Sequence, residues 1–220
     1  MLNIAIDGHV ASGKSTIAKE IAKRLGLKVL DTGAIYRGLA CAFKDSGLQQ
    51  PNEENIAKFV QTINVEVAFV EDKQHVVVNS IDYTPFLRLE ETSRLSSLIS
   101  PYPVLREKVM TIQRKFAEEN NCVMEGRDIG TDVLPNAQVK LFVTAKDEVR
   151  AKRRYDQLND KSVSFEQILA DLRERDYKDE HREVAPLRKA KDSIVIDSSE
   201  ITLEETIQTC IDIINLKLQE

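Results

Sequence analysis

The eight residues from Gly8 to Ser15 constrain this chain more than any other segment. They fit the pattern G-x-x-x-x-G-K-S/T and follow directly on a short apolar run. In such a loop the glycines let the backbone curl so that successive N–H groups face phosphate oxygens, and the lysine adds a point charge. Apolar residues then recur at helical spacing at Ile17, Ile21 and Leu25, which places the positive end of a helix dipole behind the loop. Strand, loop and helix together predict a nucleoside triphosphate site.

A loop of this kind is called a phosphate-binding loop, or P-loop. We expect its residues to make the contacts to the triphosphate. The residues assigned to ATP binding are Gly8, His9, Val10, Ala11, Ser12, Gly13, Lys14, Ser15 and Thr16. Ser15 offers a hydroxyl to Mg²⁺, partly through water, and Mg²⁺ is the cofactor expected with ATP.

Composition narrows the class of partner. The 220 residues are 42% hydrophobic and 30% charged, as in an ordinary globular protein. The net charge of −5 argues against binding polymeric nucleic acid, which usually requires a strongly basic face. No apolar stretch reaches the roughly 20 residues that span a bilayer. We therefore expect a cytoplasmic protein, a single domain over residues 1–220, with small-molecule partners, no membrane association and no need to be more than a monomer.

Apolar runs alternate with helical stretches along the chain, which predicts an α/β fold with a parallel sheet. The predicted strands are Asn3–Asp7, Lys28–Asp31, Cys122–Glu125, Val139–Val143 and Ser193–Asp197. The predicted later helices are Lys146–Leu158 after Thr144, Phe165–Asp176 after Ser164, and Leu203–Leu218 after Thr202 with Glu205. The segment Ile63–Tyr83 instead predicts an inserted antiparallel hairpin with a turn at 71–74.

Arginines occur in many separate segments, as phosphoryl transfer between two polyanions requires. Arg150, Arg153 and Arg154 share one face if their segment is helical. That face would suit a triphosphate, although a run of charge is also typical of a solvated helix face. The guanine-recognition and switch motifs of GTPases are not spelled in the chain, which favours a kinase.

Three further segments point to a particular family of kinases. Residues 31–37 (DTGAIYR), 126–131 (GRDIGT) and 185–187 (APL) resemble the signature segments of the bacterial cytidylate kinase family. They occur with the P-loop in the family's order across nearly the whole chain. The resemblance implies a three-layer P-loop nucleoside monophosphate kinase fold with a five-stranded parallel sheet. It also implies a small antiparallel β domain for the monophosphate at about 60–100 and a helical lid at about 150–185.

The resemblance further implies a reaction and a set of site residues. An ATP-dependent nucleoside monophosphate kinase of pyrimidine metabolism would move the γ-phosphoryl group of ATP to CMP or dCMP. The implied catalytic residues are Lys14, Arg127, Asp128 and Arg182. The implied CMP-binding residues are Thr32, Arg37, Ser97, Arg106, Arg127, Arg175, Asp179 and Arg182, and the implied lid arginines that close over ATP are Arg150, Arg153 and Arg154.

The chain departs from the family pattern at a few positions, and two other functions compete with this one. His9 stands where a proline is usual, and Glu125 where an aspartate commonly precedes the Gly-Arg-Asp segment. A different small P-loop kinase, acting on UMP, AMP or a small metabolite, would share the P-loop and the lid arginines. A regulatory module that binds a nucleoside triphosphate without turnover would share the P-loop alone.

Overall fold

The computed structural model describes residues 1–157 and 163–219, and these divide into two compact units. The first unit comprises Met1–Val29 and Asn120–Glu220, and the second comprises Leu30–Glu119. The division falls within the second strand of the chain. The predicted end of one helix, Leu158, and part of the predicted lid lie outside the described residues.

The described part of the chain contains eight strands and eight α-helices. The strands are β1 (Asn3–Gly8), β2 (Lys28–Asp31), β3 (Val65–Val70), β4 (Lys73–Val78), β5 (Ile81–Asp82), β6 (Cys122–Gly126), β7 (Val139–Thr144) and β8 (Ile194–Asp197). The helices are α1 (Lys14–Leu25), α2 (Thr32–Asp45), α3 (Glu53–Thr62), α4 (Glu90–Ile99), α5 (Pro103–Glu119), α6 (Asp147–Gln157), α7 (Phe165–His181) and α8 (Leu203–Lys217). A 3₁₀ turn covers Thr84–Phe86 and a π-helical turn covers Ile129–Val133.

β1 lies at the centre of a five-stranded parallel sheet with the order β2-β6-β1-β7-β8. Ile4 pairs with Val123 of β6 on one side and with Val139 of β7 on the other. The central strands are buried, which explains why their sequences are continuous apolar runs. Because the strands are parallel, the segments that follow their carboxyl ends meet at one edge of the sheet, where ligands bind in such folds.

The core of the first unit is formed by the sheet and two helices on it. Ile17 and Ile21 of α1 and Ile207 and Ile214 of α8 join the buried cluster around Ile4. The apolar stripe predicted for the last helix therefore packs inward. Burying side chains of this size contributes about 1.5–3 kcal/mol each.

Helix ends show where local sequence signals succeed and fail. Thr202 and Glu205 form the predicted capping box of α8, and Ser164 accepts a hydrogen bond from the amide of Gln167 as the cap of α7. Thr144 is not a cap, because it is the last residue of β7, paired with Asp197. Other bounds also differ from prediction: α6 begins at Asp147, α7 runs on to His181, and β8 begins at Ile194.

The second unit combines four helices with a small antiparallel sheet of order β3-β4-β5. The inserted hairpin is confirmed as β3 and β4, but its turn is shorter than predicted. Glu71 and Asp72 alone turn the chain, both with left-handed backbones (φ 49° and 60°), while Lys73 already pairs with Val70. Such a two-residue turn matches the twist of the strands. The insertion predicted at about 60–100 lies inside this unit.

Among residues 1–157 and 163–219, no helix is both long enough and apolar enough to cross a membrane.

Candidate active site

The P-loop connects β1 to α1 with a backbone that several residue types could not adopt. A Cβ on Gly8 would lie 2.0 Å from the carbonyl oxygen of Val143 in β7, so only glycine fits there. Gly13 caps α1 with φ 91°, in the left-handed region that favours glycine. Ala11 also has a left-handed backbone, with φ 56°. Since it carries a Cβ, this conformation is maintained by the surrounding structure.

Lys14 is buried in the first turn of α1, and its Nζ donates a hydrogen bond to the carbonyl of His9 at 3.0 Å. Burial, reinforced by the positive charge of Arg127, lowers the pKa of Lys14 to about 7. The carboxylate of Glu125, at the end of β6, acts in the opposite direction. A phosphate group beside Lys14 would favour its charged form.

Three hydroxyl-bearing residues of the loop are placed differently. Ser12 is fully buried, and no hydrogen-bond partner for its Oγ is found within the described part of the chain. Ser15 and Thr16 are exposed in the first turn of α1. An orphaned buried hydroxyl and two exposed ones beside a helix N-terminus fit a phosphate with an accompanying cation.

A second loop follows β6 at the same edge of the sheet. Arg127 Nε donates to Asp179 Oδ2 at 2.9 Å, and its Nη1 donates to the carbonyl of Gly126 at 3.3 Å. Asp128 is buried and lies 3.5 Å from Arg182 Nη2. The structure thus brings the predicted residues Arg127, Asp128, Asp179 and Arg182 into one ion-pair network.

The end of α7 supplies Asp179, and Arg182 follows directly as the C-cap of the helix. Arg182 Nε donates to the carbonyl of Ala185 at 2.6 Å, and Nη1 lies 4.0 Å from Asp179 Oδ1. Burial alone would raise the pKa of Asp179, but neighbouring guanidinium groups hold it below its usual value. These groups belong to Arg127, Arg175 and Arg182. The charge of Arg175 also reaches Lys14 and lowers its pKa. The guanidinium groups of Arg127, Arg175 and Arg182, gathered beside Lys14, give this region the donors that an anion such as phosphate requires.

The three predicted lid arginines have different surroundings. Arg153 donates hydrogen bonds to the Oγ of Ser198 at 3.0 Å and to the carbonyl oxygen of Ser198 at 2.6 Å. Its Nη1 lies 3.9 Å from the position that a Cβ on Gly13 would occupy. Arg154 is exposed on α6. Arg150 is buried, with protein atoms as acceptors. Of these three arginines, Arg154 alone is exposed, whereas Arg153 is held by part-buried hydrogen bonds to Ser198 and Arg150 by buried ones.

In the second unit, the residues around the start of α2 are held by Asp31. Its carboxylate accepts from the amide of Ala34, capping α2, and pairs with Arg37 Nη2 at 2.9 Å. The side-chain amide of Gln74, on β4, exchanges two hydrogen bonds with the backbone of Asp31. Thr32 is buried as the first residue of α2. Hairpin and helix thus fix the position of Arg37.

The remaining predicted acceptor residues lie on α4 and α5. Ser97 is half-buried on α4. Arg106 is buried on α5, donates to the carbonyl of Ser100 at 3.3 Å, and lies 5.7 Å from the ring centre of Tyr36. A cation over an aromatic face is stabilised by the ring's quadrupole.

Three residues that contact predicted site residues or their neighbours were not predicted from the sequence, two of them in the first unit and one in the second. Asp7 is buried, and its two carboxylate oxygens accept hydrogen bonds from the backbone amides of Ile129 and Gly130 at 2.8 and 2.7 Å. Burial raises its pKa to about 7. Gln74 and Asp176 are the others. A carboxylate at the end of an apolar strand was a visible signal for Asp7, whereas the partners of Gln74 and Asp176 are distant in sequence.

A parallel α/β sheet with a P-loop after its first strand, and cations gathered beside the loop, defines a P-loop nucleotide-binding protein. Two solved structures share this fold. An uncharacterized protein from Eubacterium ventriosum is 14% identical, with a TM-score of 0.56, and covers 98% of this chain and 99% of its own. TT1252 from Thermus thermophilus is 21% identical, with a TM-score of 0.51, covering 99% and 97%. At these identities the likeness concerns the fold alone.

Within that class, the chain belongs to the cytidylate kinase family, whose family model matches residues 4–216. A cytidylate kinase of Halalkalibacterium halodurans is 42% identical over 212 residues, covering 96% of each chain. Those of Bacillus subtilis and Pasteurella multocida are 38% and 37% identical, covering 98% of this chain and 97% and 96% of their own. The family predicted from the sequence motifs is confirmed.

Proposed function

We propose that this chain transfers the γ-phosphoryl group of ATP to CMP or dCMP, giving ADP and CDP or dCDP, and that it does so in the cytoplasm as a monomer. The observation that carries the proposal is the family match over residues 4–216, supported by an intact P-loop. The rival kinases and the non-catalytic module are not favoured, because the relatives at 37–42% identity are named cytidylate kinases over nearly their whole length.

The P-loop is the donor site in this proposal. Residues 8–16 would hold the ATP phosphates through backbone N–H groups, and Lys14 would place its charge on them. Ser15, exposed beside the loop, would hold Mg²⁺, partly through water. When bound, the cation offsets charge on the β- and γ-phosphates. Arg153 and Arg154 would approach ATP from the lid.

The proposed acceptor-binding residues are those that the family resemblance implies. Arg37, Arg127, Arg175 and Arg182 would contact the monophosphate, while Thr32 and Asp179 would meet hydroxyl or phosphate groups around it. Ser97 and Arg106 would read the cytosine, because their donors and acceptors can match its carbonyl and ring nitrogen. The fixed positions of Arg37 beside Asp31 and of Arg106 over Tyr36 support preorganised binding.

The transfer itself requires little covalent chemistry from the protein. The charge in flight is spread over phosphoryl oxygens, so positioned cations lower the barrier. Lys14, Arg127 and Arg182 would supply them, and Asp128 would hold Arg182 in place through their 3.5 Å ion pair. Excluding water from these groups would strengthen each interaction and suppress hydrolysis of ATP.

An acceptor panel tests the proposal. ADP release is measured with CMP, dCMP, UMP and AMP at matched concentrations. We expect rapid turnover with CMP or dCMP and much slower turnover with AMP. Indifference to CMP would overturn the assignment in favour of another small kinase. Lys14→Ala should abolish the transfer, and a native chain that binds ATP yet transfers to none of these acceptors would instead be a regulatory module.

A further inference from the structure

One residue of the P-loop is held by side chains from two other helices of the same unit. The amide of Val10 donates to Asp176 Oδ1 on α7 at 3.2 Å, and the carbonyl of Val10 accepts from Arg150 Nη1 on α6 at 3.0 Å. Arg150 Nη1 also donates to Asp176 Oδ2. Both polar groups of one backbone residue are therefore fixed by a single ion pair, which we call the Val10 clamp.

The clamp is buried and its polar groups are satisfied. The side chain of Arg150 is 4% exposed and that of Asp176 is 10% exposed. Arg150 also donates to the carbonyl of Ala145 at 3.0 Å and to Asp147 at 2.6 Å. A buried ion pair persists only when such hydrogen bonds compensate for the loss of water. If Arg150 reached for a phosphate, it would have to give up several of these bonds.

Apolar contacts join the same elements. Val10 and Ala11 pack against a buried cluster formed by Ala151 of α6 and Ile168 and Leu172 of α7. Ala11 is the residue whose left-handed backbone, φ 56°, is unfavourable for a side chain with a Cβ. The clamp thus acts directly beside the strained point of the loop, where a constraint is needed to keep the loop in shape.

We propose that Arg150 and Asp176 are positioning residues that hold the P-loop in its phosphate-binding shape. Helices α6 and α7 would then influence the donor site through the loop backbone, and Arg150 would not contact ATP directly. This inference rests on the proposed function for the identity of the nucleotide. Its central test is binding of ATP, which does not depend on which acceptor the enzyme uses.

Two single variants separate the clamp from a direct contact. Asp176→Asn keeps an acceptor for Val10 but removes the charge that orients Arg150, and Arg150→Lys keeps the charge but cannot serve four acceptors. If the clamp is correct, each variant weakens binding of a non-hydrolysable ATP analogue by about tenfold or more, and the double variant loses little beyond either one. The KM for CMP should stay within about twofold of the native value.

Matched controls lie on the same two helices. Asp171→Asn changes an exposed carboxylate of α7 that accepts from Gln167, and Lys152→Met removes an exposed cation of α6 that pairs with Asp156. Both should bind the ATP analogue like the native chain. Asp176→Glu, which preserves the charge but shifts it by one methylene, provides a second variant if Asp176→Asn does not fold, and we expect an intermediate loss.

Two outcomes would overturn the proposal. Loss of ATP binding in Arg150→Lys with native binding in Asp176→Asn or Asp176→Glu would show that Arg150 contacts ATP itself. Equal losses of ATP and CMP binding, together with a lower melting temperature, would show a role in folding alone. A failure of the proposed function would appear elsewhere, as an acceptor panel without a response to CMP.

Discussion

Lys14 is a residue whose charge should depend on the ligand, because it is buried beside the P-loop. Burial lowers its pKa to about 7, whereas the ordinary value for lysine is about 10.4. A pKa near 7 predicts that the neutral amine of Lys14 predominates in the free protein at pH 8. The phosphates of ATP would favour the charged form. Binding and protonation are thus coupled at this one side chain.

We predict that ATP binding takes up a proton. At pH 8, with Mg²⁺ present, Lys14 should take up about one proton per ATP, and at pH 6 only about a tenth, because there it is already charged. Calorimetric titrations in buffers of different ionisation enthalpy measure this number directly.

The matched variant for this prediction is Lys14→Arg, because arginine remains charged at both pH values. It should lower the uptake at pH 8 to near zero while still binding ATP. Equal uptake by the native chain and Lys14→Arg would assign the proton to another buried group, for which Asp7, with a pKa raised by burial to about 7, is the nearest candidate.

At the scale of elements, the N-terminal cap of α8 allows a test of how much a local hydrogen-bond pair contributes to stability. The Thr202 hydroxyl accepts from the amide of Glu205 at 3.2 Å, and the Glu205 carboxylate accepts from the amide of Thr202 at 2.8 Å. Thr202→Ala removes half of this capping box. We expect it to lower the free energy of unfolding by about 1 kcal/mol, measured by urea denaturation.

The control for the cap lies on the same helix. Thr209 is exposed, and its hydroxyl donates to the carbonyl of Glu205 within the helix. Thr209→Ala should change the free energy of unfolding by less than about 0.5 kcal/mol. If Thr202→Ala were as mild as Thr209→Ala, the stability of α8 would come from its buried apolar stripe alone.

Burial and the sequence distance between partners decide which elements could be predicted from the sequence. The three central strands of the main sheet, β1, β6 and β7, were predictable because a buried parallel strand needs a continuous apolar run, whatever its neighbours are. The end of α7 was not, because the prediction stopped the helix at Asp176. That residue is buried within the helix and compensated by Arg150, which lies 26 residues away. Local sequence carries no signal for such a partner.

For the whole molecule, motifs predicted the class of site better than the role of each side chain. The P-loop was predictable because its backbone requires particular residues at fixed spacing, and the Gly126–Gly130 segment was predictable through its resemblance to a family signature. Arg150 was different. Basic residues at positions i, i+3 and i+4 have the same spacing whether they face solvent, a phosphate or a buried carboxylate. Only the folded chain distinguishes the clamp from an exposed lid arginine.

Ligand binding should be visible in the stability of the whole chain, because a ligand that binds only the folded protein stabilises it. CMP at 100 times its Kd should contribute about 2.7 kcal/mol, which for a chain of this size raises the melting temperature by about 5–10 °C. AMP at the same concentration should produce a much smaller shift. Differential scanning calorimetry measures both shifts.

Arg37 decides whether this stabilisation comes from the proposed acceptor site. Arg37→Met removes the cation that pairs with Asp31, so its own melting temperature falls, but the informative quantity is the further shift when CMP is added. That shift should largely disappear in Arg37→Met and stay intact in Arg94→Met, which removes an exposed arginine of α4 paired with Glu90. A full CMP shift in Arg37→Met would show that the monophosphate binds without Arg37, and would remove this residue from the acceptor site.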